Sequence, residues 1–484
     1  SASSVAVLTD DADAPIADEV VMLHAADVAA ASARIAERFY GDPSRTLDIA
    51  AVTGTNGKTT TACLIWSMLN SADRRCGLVG TVIIDDGVEV APAAMTTPPA
   101  IEMSRTLGVM VESGCVAAAI EASSHALHQK RVEAIRIRVG VFTNLTGDHL
   151  DYHKTMEDYA AAKRRLFELL EPGGVAITNA DAAWSVSMVA PARGTVVRCT
   201  AQKKPDADAS VEVTGATLQG MDLAMRGPFG MIETRIALLG RYNAMNALQA
   251  AVAGHALGLT PGQIAAGLSR AQSPPGRMER VSQPEDRCTV FVDFAHTDDA
   301  LRSAIGAVLE AMPDRAHAGA VVASAAGAAS SGKAPGRLWV VFGCGGDKDR
   351  TKRPRMGKIA AELADIVIVT SDNPRTERPS AIVDEILTGV PGTLRQKVRV
   401  QVDRERAIRM AISEAVPGDV IIIAGKGHET EQILPDGKGG TISTHFDDRE
   451  NARAVLAEQR PRAAAVSGAA RPSAARRPAE RWGR

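Results

Sequence analysis

The sequence predicts an α/β protein built from two successive units with mostly parallel sheets. From "TLDIAAVTG" (46–54) onward, short β-branched runs such as "VAAAIEASS", "VGVFTNLT" and "GGVAITNAD" alternate with longer helical patterns, which is the rhythm of βαβ units. The rhythm restarts after "SPPGRMERV" (273–281), in "CTVFVDFAH", "RLWVVFGCGG", "ADIVIVTSDN" and "DVIIIAGKG". The Pro-Pro-Gly at 274–276 between them is a candidate hinge. At 484 residues the chain is too long for one ordinary core, so two or three domains are expected.

Ahead of the first unit, "SVAVLT" (4–9) reads as a strand and "HAADVAAASARIAERFYG" (24–41) as a helix ending at Gly41, which is too little for a complete domain. The expected division is an N-terminal piece over 1–44, a central domain over 45–272 and a C-terminal domain over 273–459. "AHAGAVVASAAGAASSGKAPG" (316–336) is low-complexity and reads as a flexible insertion. Residues 460–484 carry seven Arg and one acid and read as a disordered basic tail.

Composition excludes several classes. Hydrophobic residues at 45% and charged residues at 23% describe a soluble globular chain, and a net charge of −2 exerts no overall pull toward nucleic acid or membrane. The six cysteines form no CxxC pair, which argues against a zinc site or a disulfide framework and fits a reducing cytoplasm. No apolar run reaches membrane-span length and no signal peptide is visible. The first residue is Ser rather than Met, so the natural N-terminus is expected to lie upstream. Small-molecule partners are expected; the oligomeric state is open, with a monomer favoured.

"TGTNGKTTT" (53–61) lies between a predicted strand and the helical pattern "ACLIWSMLN". A glycine-rich turn feeding a helix N-terminus aims backbone N–H groups at an anion. Gly54, Thr55, Asn56, Gly57 and Thr60 would form the cradle. Lys58 would reach the β/γ-phosphates of a nucleotide, and Thr59 would offer its hydroxyl to Mg²⁺. The spacing departs from the generic phosphate loop, because Val52 stands where the first glycine would be.

Two acidic or histidine-bearing stretches follow predicted strands and so fall on the carboxyl edge of the sheet, where open α/β sheets bind ligands. Glu121 opens "EASSHAL" (121–127), and Asp148 and His149 sit in "FTNLTGDHLDYH" (142–153). Each could be an ordinary cap or turn residue; beside a phosphate loop, Glu121 and His149 are Mg²⁺ candidates. The helix "MEDYAAAKRRLFELL" (156–170) carries an apolar stripe of Met156, Tyr159, Ala160, Leu166, Phe167 and Leu170, and Lys163 falls on it. Either that lysine snorkels to solvent, or it is desolvated, its pKa falls, and the amine takes up CO₂ to become a carboxylate-like metal ligand. In "TSDNPRTERP" (370–379) the alternatives are a plain turn and a pocket rim for a zwitterion. In the second case Arg375 would meet a carboxylate, and Asp372 and Asn373 an ammonium.

Read in order over roughly residues 46–450, these runs resemble the Mur ligase family, in its diaminopimelate-adding MurE type. The matching stretches are "GTNGKTTT", "TTPP" (96–99), "EASSHAL", "NLTGDHLDYH", "AAKRRLF", "GRYNAMNAL" (240–248), "PPGRMERV", "VDFAHTDDAL" (292–301), "FGCGGDKDRTKRPRMG" (342–357), "DNPRTE" and "AGKGHE" (424–429). The resemblance implies a phosphate-loop central domain, a Rossmann-like C-terminal domain and, at the start, the remnant of an N-terminal uridine-binding domain. It implies that Lys58 and Thr59 hold ATP phosphates and Mg²⁺. Glu121 and His149 would be metal ligands and Lys163 a carbamylated lysine. Asn243, Arg277 and Asp293 would contact the nucleotide, and Thr96, Thr97, Ser123, Gln129 and Arg131 the UDP-muramoyl dipeptide. Asp372, Asn373, Pro374 and Arg375, with Gly425 and Glu429, would form the amino-acid pocket, whose arginine marks the diaminopimelate type. The family pattern has Arg where this chain has Gly147 and Lys348; Lys348, at a diaminopimelate contact, keeps the charge but loses the planar fork.

The implied reaction is ATP-driven amide-bond formation through an acyl phosphate. Rival expectations are the same scaffold with another amino acid such as L-lysine, folylpolyglutamate synthetase, and a non-catalytic nucleotide-binding homologue. Arg375 argues against lysine, which has no distal carboxylate.

Overall fold

The structure, a computed structural model, describes residues 6–14, 20–312 and 336–460. The expected insertion lies outside these residues except for Gly336, and the expected tail except for Arg460. Two short parallel strands, Ala6–Thr9 and Val21–His24, precede the helix Val28–Phe39. The helix starts later than its pattern suggests: residues 21–24 pair as a strand, and Asp27 caps the helix by accepting from the Ala30 N–H. Buried Glu37 ties this piece to the central unit, accepting from the Ser44 N–H and the Ser104 hydroxyl, each at 2.8 Å.

The central sheet has eleven strands. Asp48–Thr53, which leads into the phosphate loop, lies between Ala117–Glu121 and Ile137–Phe142, parallel to both. Cys76–Val79 extends the parallel block on one side; Leu170–Asn179 and Thr195–Thr200 extend it on the other. Antiparallel strands finish both edges of this mostly parallel sheet. Ile49, Ala50, Ala51 and Val52 are all fully buried, as expected of a strand covered on both faces. One cover is the helix Arg241–Ala256, buried continuously from Asn243 to Gly254 because its small alanines let it lie close against the sheet and the helix Lys58–Ser71. The lysine-bearing helix is Met156–Glu168; it ends short of the expected boundary because Leu170 begins the next strand.

The second unit holds a six-stranded sheet in the order Glu279–Arg280, Thr289–Asp293, Val420–Ala424, Leu338–Phe342, Ile366–Val369, Val398–Val400. All neighbours are parallel except the first pair. The loop after Leu338–Phe342 and the "DNPR" turn after Ile366–Val369 follow strand carboxyl ends, the edge at which such sheets take ligands.

Candidate active site

The glycines of the phosphate loop are dictated by what presses on them. Gly54 has φ +149°, and a Cβ there would lie 1.9 Å from the Thr143 Oγ1. Gly57, at φ +87°, begins the helix Lys58–Ser71, and a Cβ would lie 2.6 Å from the Asn246 Oδ1. The loop is pinned from the neighbouring strand end: the Asn56 N–H donates to the Asn144 side chain at 3.0 Å and the Thr55 N–H to the Asn144 carbonyl at 2.9 Å. Thr60 is buried in the first helical turn.

Two ammonium groups converge on one loop carbonyl. Lys58 Nζ donates to the Gly54 oxygen at 3.0 Å and to the Thr55 oxygen at 2.9 Å; Lys163 Nζ donates to the same Gly54 oxygen at 2.8 Å. Lys163 is 1% exposed, which excludes the snorkelling alternative. Its ammonium also lies 4.4 Å from the centre of the Tyr159 ring, whose hydroxyl is 3.2 Å from the Thr55 Oγ1. Burial, and then the nearby Lys58 charge, hold the Lys163 pKa well below its ordinary value. Burial also lowers Lys58, against the pull of Glu121.

Glu121, 1% exposed, faces the same loop helix. Thr59 Oγ1 donates to its Oε2 at 3.0 Å, while the Thr81 N–H and hydroxyl donate to it at 2.7 and 2.9 Å. His149 has left-handed backbone (φ +53°) and its Nε2 is 3.5 Å from the Asp148 carboxylate. Among the described residues no three His, Cys, Asp or Glu side chains form a metal cage. Gly147 opens onto free space.

Beside Glu121 the expected dipeptide residues form one bonded patch. Thr97 Oγ1 donates to the Glu121 carbonyl at 2.7 Å and accepts from the Ser123 N–H at 3.1 Å; Thr81 bonds Thr96 through the hydroxyls at 3.1 Å. Arg131 donates to the Thr97 carbonyl at 2.8 Å and to Gln129 Oε1, and Gln129 donates to the Tyr152 hydroxyl at 3.2 Å. Asn243 instead spends its side chain on the Leu239 carbonyl (2.8 Å) and on Asn246 (2.9 Å).

From the second unit, the Arg277 guanidinium stacks 4.6 Å from the Phe294 ring centre, and its charge adds to burial in lowering the Lys58 pKa. Asp293 accepts from the Met278 and Ala295 N–H groups at 2.7 and 2.9 Å, and burial raises its pKa. The Pro-Pro-Gly turn packs closely: a Cβ on Gly276 would lie 2.1 Å from the Gly427 carbonyl carbon.

The "DNPR" turn is a built wall. Asp372 and Asn373 are buried; the Asn373 amide donates to Glu429 at 2.8 Å and its Oδ1 accepts from Lys426 at 3.0 Å. Gly425, at φ +118°, leaves room for the Asp372 Oδ2, which would sit 2.5 Å from a Cβ. Pro374 presents its carbonyl so close to Gly346 that a Cβ there would lie 1.9 Å away. Arg375 has φ +53°, its N–H bonded to the Ile433 carbonyl at 3.0 Å and its Nη1 to the Gly346 carbonyl at 2.8 Å. Exposed Lys348 shares this rim: a Cβ on Gly345 would lie 3.1 Å from the Arg375 Nη1 and 3.9 Å from the Lys348 Cγ.

Sequence reasoning missed Thr81, Lys426 and the ring cluster of His125, His128, Tyr152 and His153. The i, i+3 histidines of "SHALH" and the tyrosine and histidine of "LDYH" were a usable signal for the cluster. Its rings meet at 4.3–6.0 Å, and burial, with the neighbouring histidines, lowers the His153 pKa to about 4. Nothing local marks Thr81 or Lys426.

Residues 52–254 match the Mur ligase middle domain and residues 312–427 the Mur ligase glutamate ligase domain. A UDP-N-acetylmuramoyl-L-alanyl-D-glutamate--2,6-diaminopimelate ligase of Gloeobacter violaceus is 46% identical over 443 residues, covering 92% of this chain and 84% of the relative. A solved structure of a ligase of that name is 31% identical, with a TM-score of 0.64, covering 90% of this chain and 84% of the other. The Mycobacterium tuberculosis folylpolyglutamate synthase complexed with ADP and AMPPCP, 19% identical, has a TM-score of 0.64 over 82% of this chain and 93% of its own, a likeness of fold. The chain belongs to the Mur ligase family, in the branch whose members carry the name of the 2,6-diaminopimelate ligase.

Proposed function

We propose that the chain is an ATP-dependent ligase that adds meso-diaminopimelate to UDP-N-acetylmuramoyl-L-alanyl-D-glutamate, a step of peptidoglycan precursor synthesis in the cytoplasm. One observation supports the reading: the glycine-rich loop at 53–61 and the turn that carries Arg375 each follow the carboxyl end of a strand, one in each of the two units, and the Arg277 charge of the second unit is among the causes that lower the Lys58 pKa in the first. Joining an acid to an amine at the expense of a nucleotide requires those two sites side by side.

In this reading the D-Glu γ-carboxylate attacks the γ-phosphorus of ATP, the bond to the β-phosphate oxygen breaks and ADP leaves. The diaminopimelate amine attacks the acyl carbon of the resulting acyl phosphate, the C–O bond breaks, phosphate departs with its electron pair and the amine sheds a proton. Lys58 and the loop N–H groups hold the phosphates; Thr96, Thr97, Ser123, Gln129 and Arg131 hold the dipeptide nucleotide. Asn243, Arg277 and Asp293 complete the nucleotide pocket, and closure about residues 274–276 brings the last two into place. Asp372, Asn373, Glu429 and the Gly425 backbone take the amino-acid end, and Arg375 with Lys348 the distal carboxylate.

The oxygen donors Thr59 and Glu121, 3.0 Å apart, fit Mg²⁺, which takes few protein ligands and keeps phosphate and water oxygens. His149 and Lys163, the latter as its carbamate, would serve a second ion. Bound there, Mg²⁺ supplies neutralisation of phosphate charge. A carbamate forms on an uncharged amine, and burial pushes Lys163 toward that form.

All six cysteines are free, which fits a reducing cytoplasm; among the described residues no helix is long and apolar enough to cross a membrane. The test is ADP release measured with the dipeptide nucleotide and a panel of amino acids. Turnover should require both the dipeptide nucleotide and meso-diaminopimelate; equal turnover with L-lysine, or none with any amino acid, would defeat the reading.

A further inference from the structure

Arg375 has an acid two residues along, Glu377, that would be expected to pair with it across the turn. It does not. Glu377 is taken by Arg353, which is 0% exposed and donates through Nη2 to Oε1 at 2.7 Å and through Nη1 to Oε2 at 2.9 Å. The Glu377 Oε1 also accepts the Asp347 N–H at 2.7 Å. Asp347, on the facing loop, is occupied by Thr376, whose hydroxyl and N–H donate to it at 2.8 and 3.1 Å. Arg375 is left with neutral carbonyl partners, at Gly346 and Asn373.

Arg353 has two further anchors. Its Nη2 donates to the Gly345 carbonyl at 3.0 Å, on the loop that carries Lys348, and its Nη1 to Glu385 at 2.8 Å, on the helix Pro379–Thr388. One buried guanidinium therefore fixes both loops of the rim. Its grip on Glu377 is strong enough to hold that carboxyl down to about 2.

We propose that Arg353 is a positioning residue for amino-acid selection: by sequestering Glu377 it keeps the Arg375 guanidinium uncompensated and available to a substrate carboxylate, and by bonding Gly345 it holds the loop that carries Lys348. Free carboxylate and Glu377 are rivals for Arg375, and Arg353 decides the contest before substrate arrives. The proposal rests on the diaminopimelate reading, because only an amino acid with a distal carboxylate profits from it.

The test compares Arg353→Met, Arg353→Lys, Glu377→Gln and the two double variants with Gln at 377, measuring KM for meso-diaminopimelate, KM for ATP and selectivity over L-lysine. Arg353→Met should raise the diaminopimelate KM about tenfold or more, since a released carboxylate then competes for Arg375, with the KM for ATP little changed. Glu377→Gln alone should change little. Adding Glu377→Gln to either Arg353 variant should recover much of the loss, because an amide does not compete for a guanidinium as a carboxylate does. A purely structural Arg353 would leave the double variant as impaired as the single. If Arg353→Met does not fold, the Arg353→Lys pair carries the comparison, as an ammonium cannot hold Glu377 and Gly345 together. An unchanged diaminopimelate KM in Arg353→Lys, or no recovery in its double variant, overturns the proposal. The wild-type amino-acid panel tests the functional reading separately: wild type that uses lysine as readily defeats that reading, whereas a selective wild type with unaffected Arg353 variants defeats only the positioning role.

Discussion

Lys163 shows how much one side chain's surroundings decide. A lysine on an apolar helical stripe has a stem long enough to reach water, yet here it is sealed beneath the Tyr159 ring and bonded to the Gly54 carbonyl. Lys163→Ala should abolish ligation, and short carboxylic acids added to the assay should restore part of it by standing in for the carbamate; full activity without additive would refute the carbamate role. Arg375 is the second decisive residue. Its left-handed backbone is a sparsely populated conformation, and its N–H is bonded to the Ile433 carbonyl. Arg375→Ala should cost about 2–5 kcal/mol in kcat/KM for diaminopimelate, the range for losing a charge-assisted contact in a dehydrated pocket. The KM for ATP should hardly move, and Arg375→Lys should rescue poorly for want of the planar fork. Equal losses with diaminopimelate and lysine would instead assign the residue to the turn alone; its expected partner in that role, Glu377, is already bound by Arg353.

Elements position these residues through their ends. The helix Ser124–His128, capped by the Ser123 side chain, and the helix Leu150–His153 bring His125, His128, Tyr152 and His153 together beside the lysine helix. His153 is bonded to the Ser124 hydroxyl at 2.9 Å and stacks on Tyr159 at 5.1 Å. Its pKa falls from 6.5 to about 4 on folding, so the unfolded chain binds the proton more readily between those values. Stability from this group is thus full above about 6.5 and lost as pH falls toward about 4. Thermal denaturation from pH 7 to 4 should accordingly show a shallower acid decline for His153→Gln than for wild type; parallel curves would show that the histidine does not contribute.

At the scale of the molecule the proposed reaction needs both units. The first would contribute the glycine-rich loop and its lysines; the second would contribute Arg277, stacked on Phe294, which in turn lies 5.0 Å from the His428 ring. The Gly276 and Gly427 backbones touch at the junction, so the candidate hinge is a packed turn that must move as a unit with the "AGKGHE" loop. Arg277→Ala should reduce kcat by about tenfold or more, a loss typical of removing one charge-stabilising group, while a fluorescent ADP analogue still binds the phosphate loop. An unchanged kcat would show that the second unit does not act on the nucleotide through this residue.

What the sequence determined by itself was whatever a contiguous segment encodes. Strand–loop–helix punctuation located the glycine-rich loop between its strand and helix, the period of 3.6 put Lys163 on the inner stripe of its helix, and the order of short motifs led to the family. Edge strands and helix ends were harder to read, as at residues 21–28, because pairing with a neighbour competes with local helical preference. Only the tertiary structure decided who meets whom. Lys163 could be inside or out until its ammonium met a carbonyl 109 residues earlier, and no local pattern links Thr81 to Glu121 or Lys426 to Asn373. The partner of Glu377 was open in the same way: Arg375 is two residues away in the chain, but a buried arginine 24 residues earlier reaches it first. The physical reason is common to all of these. Burial and ion pairing are set by distance in space, and a charged side chain removed from water takes the partner that the fold delivers, whichever residue stands next to it in the chain.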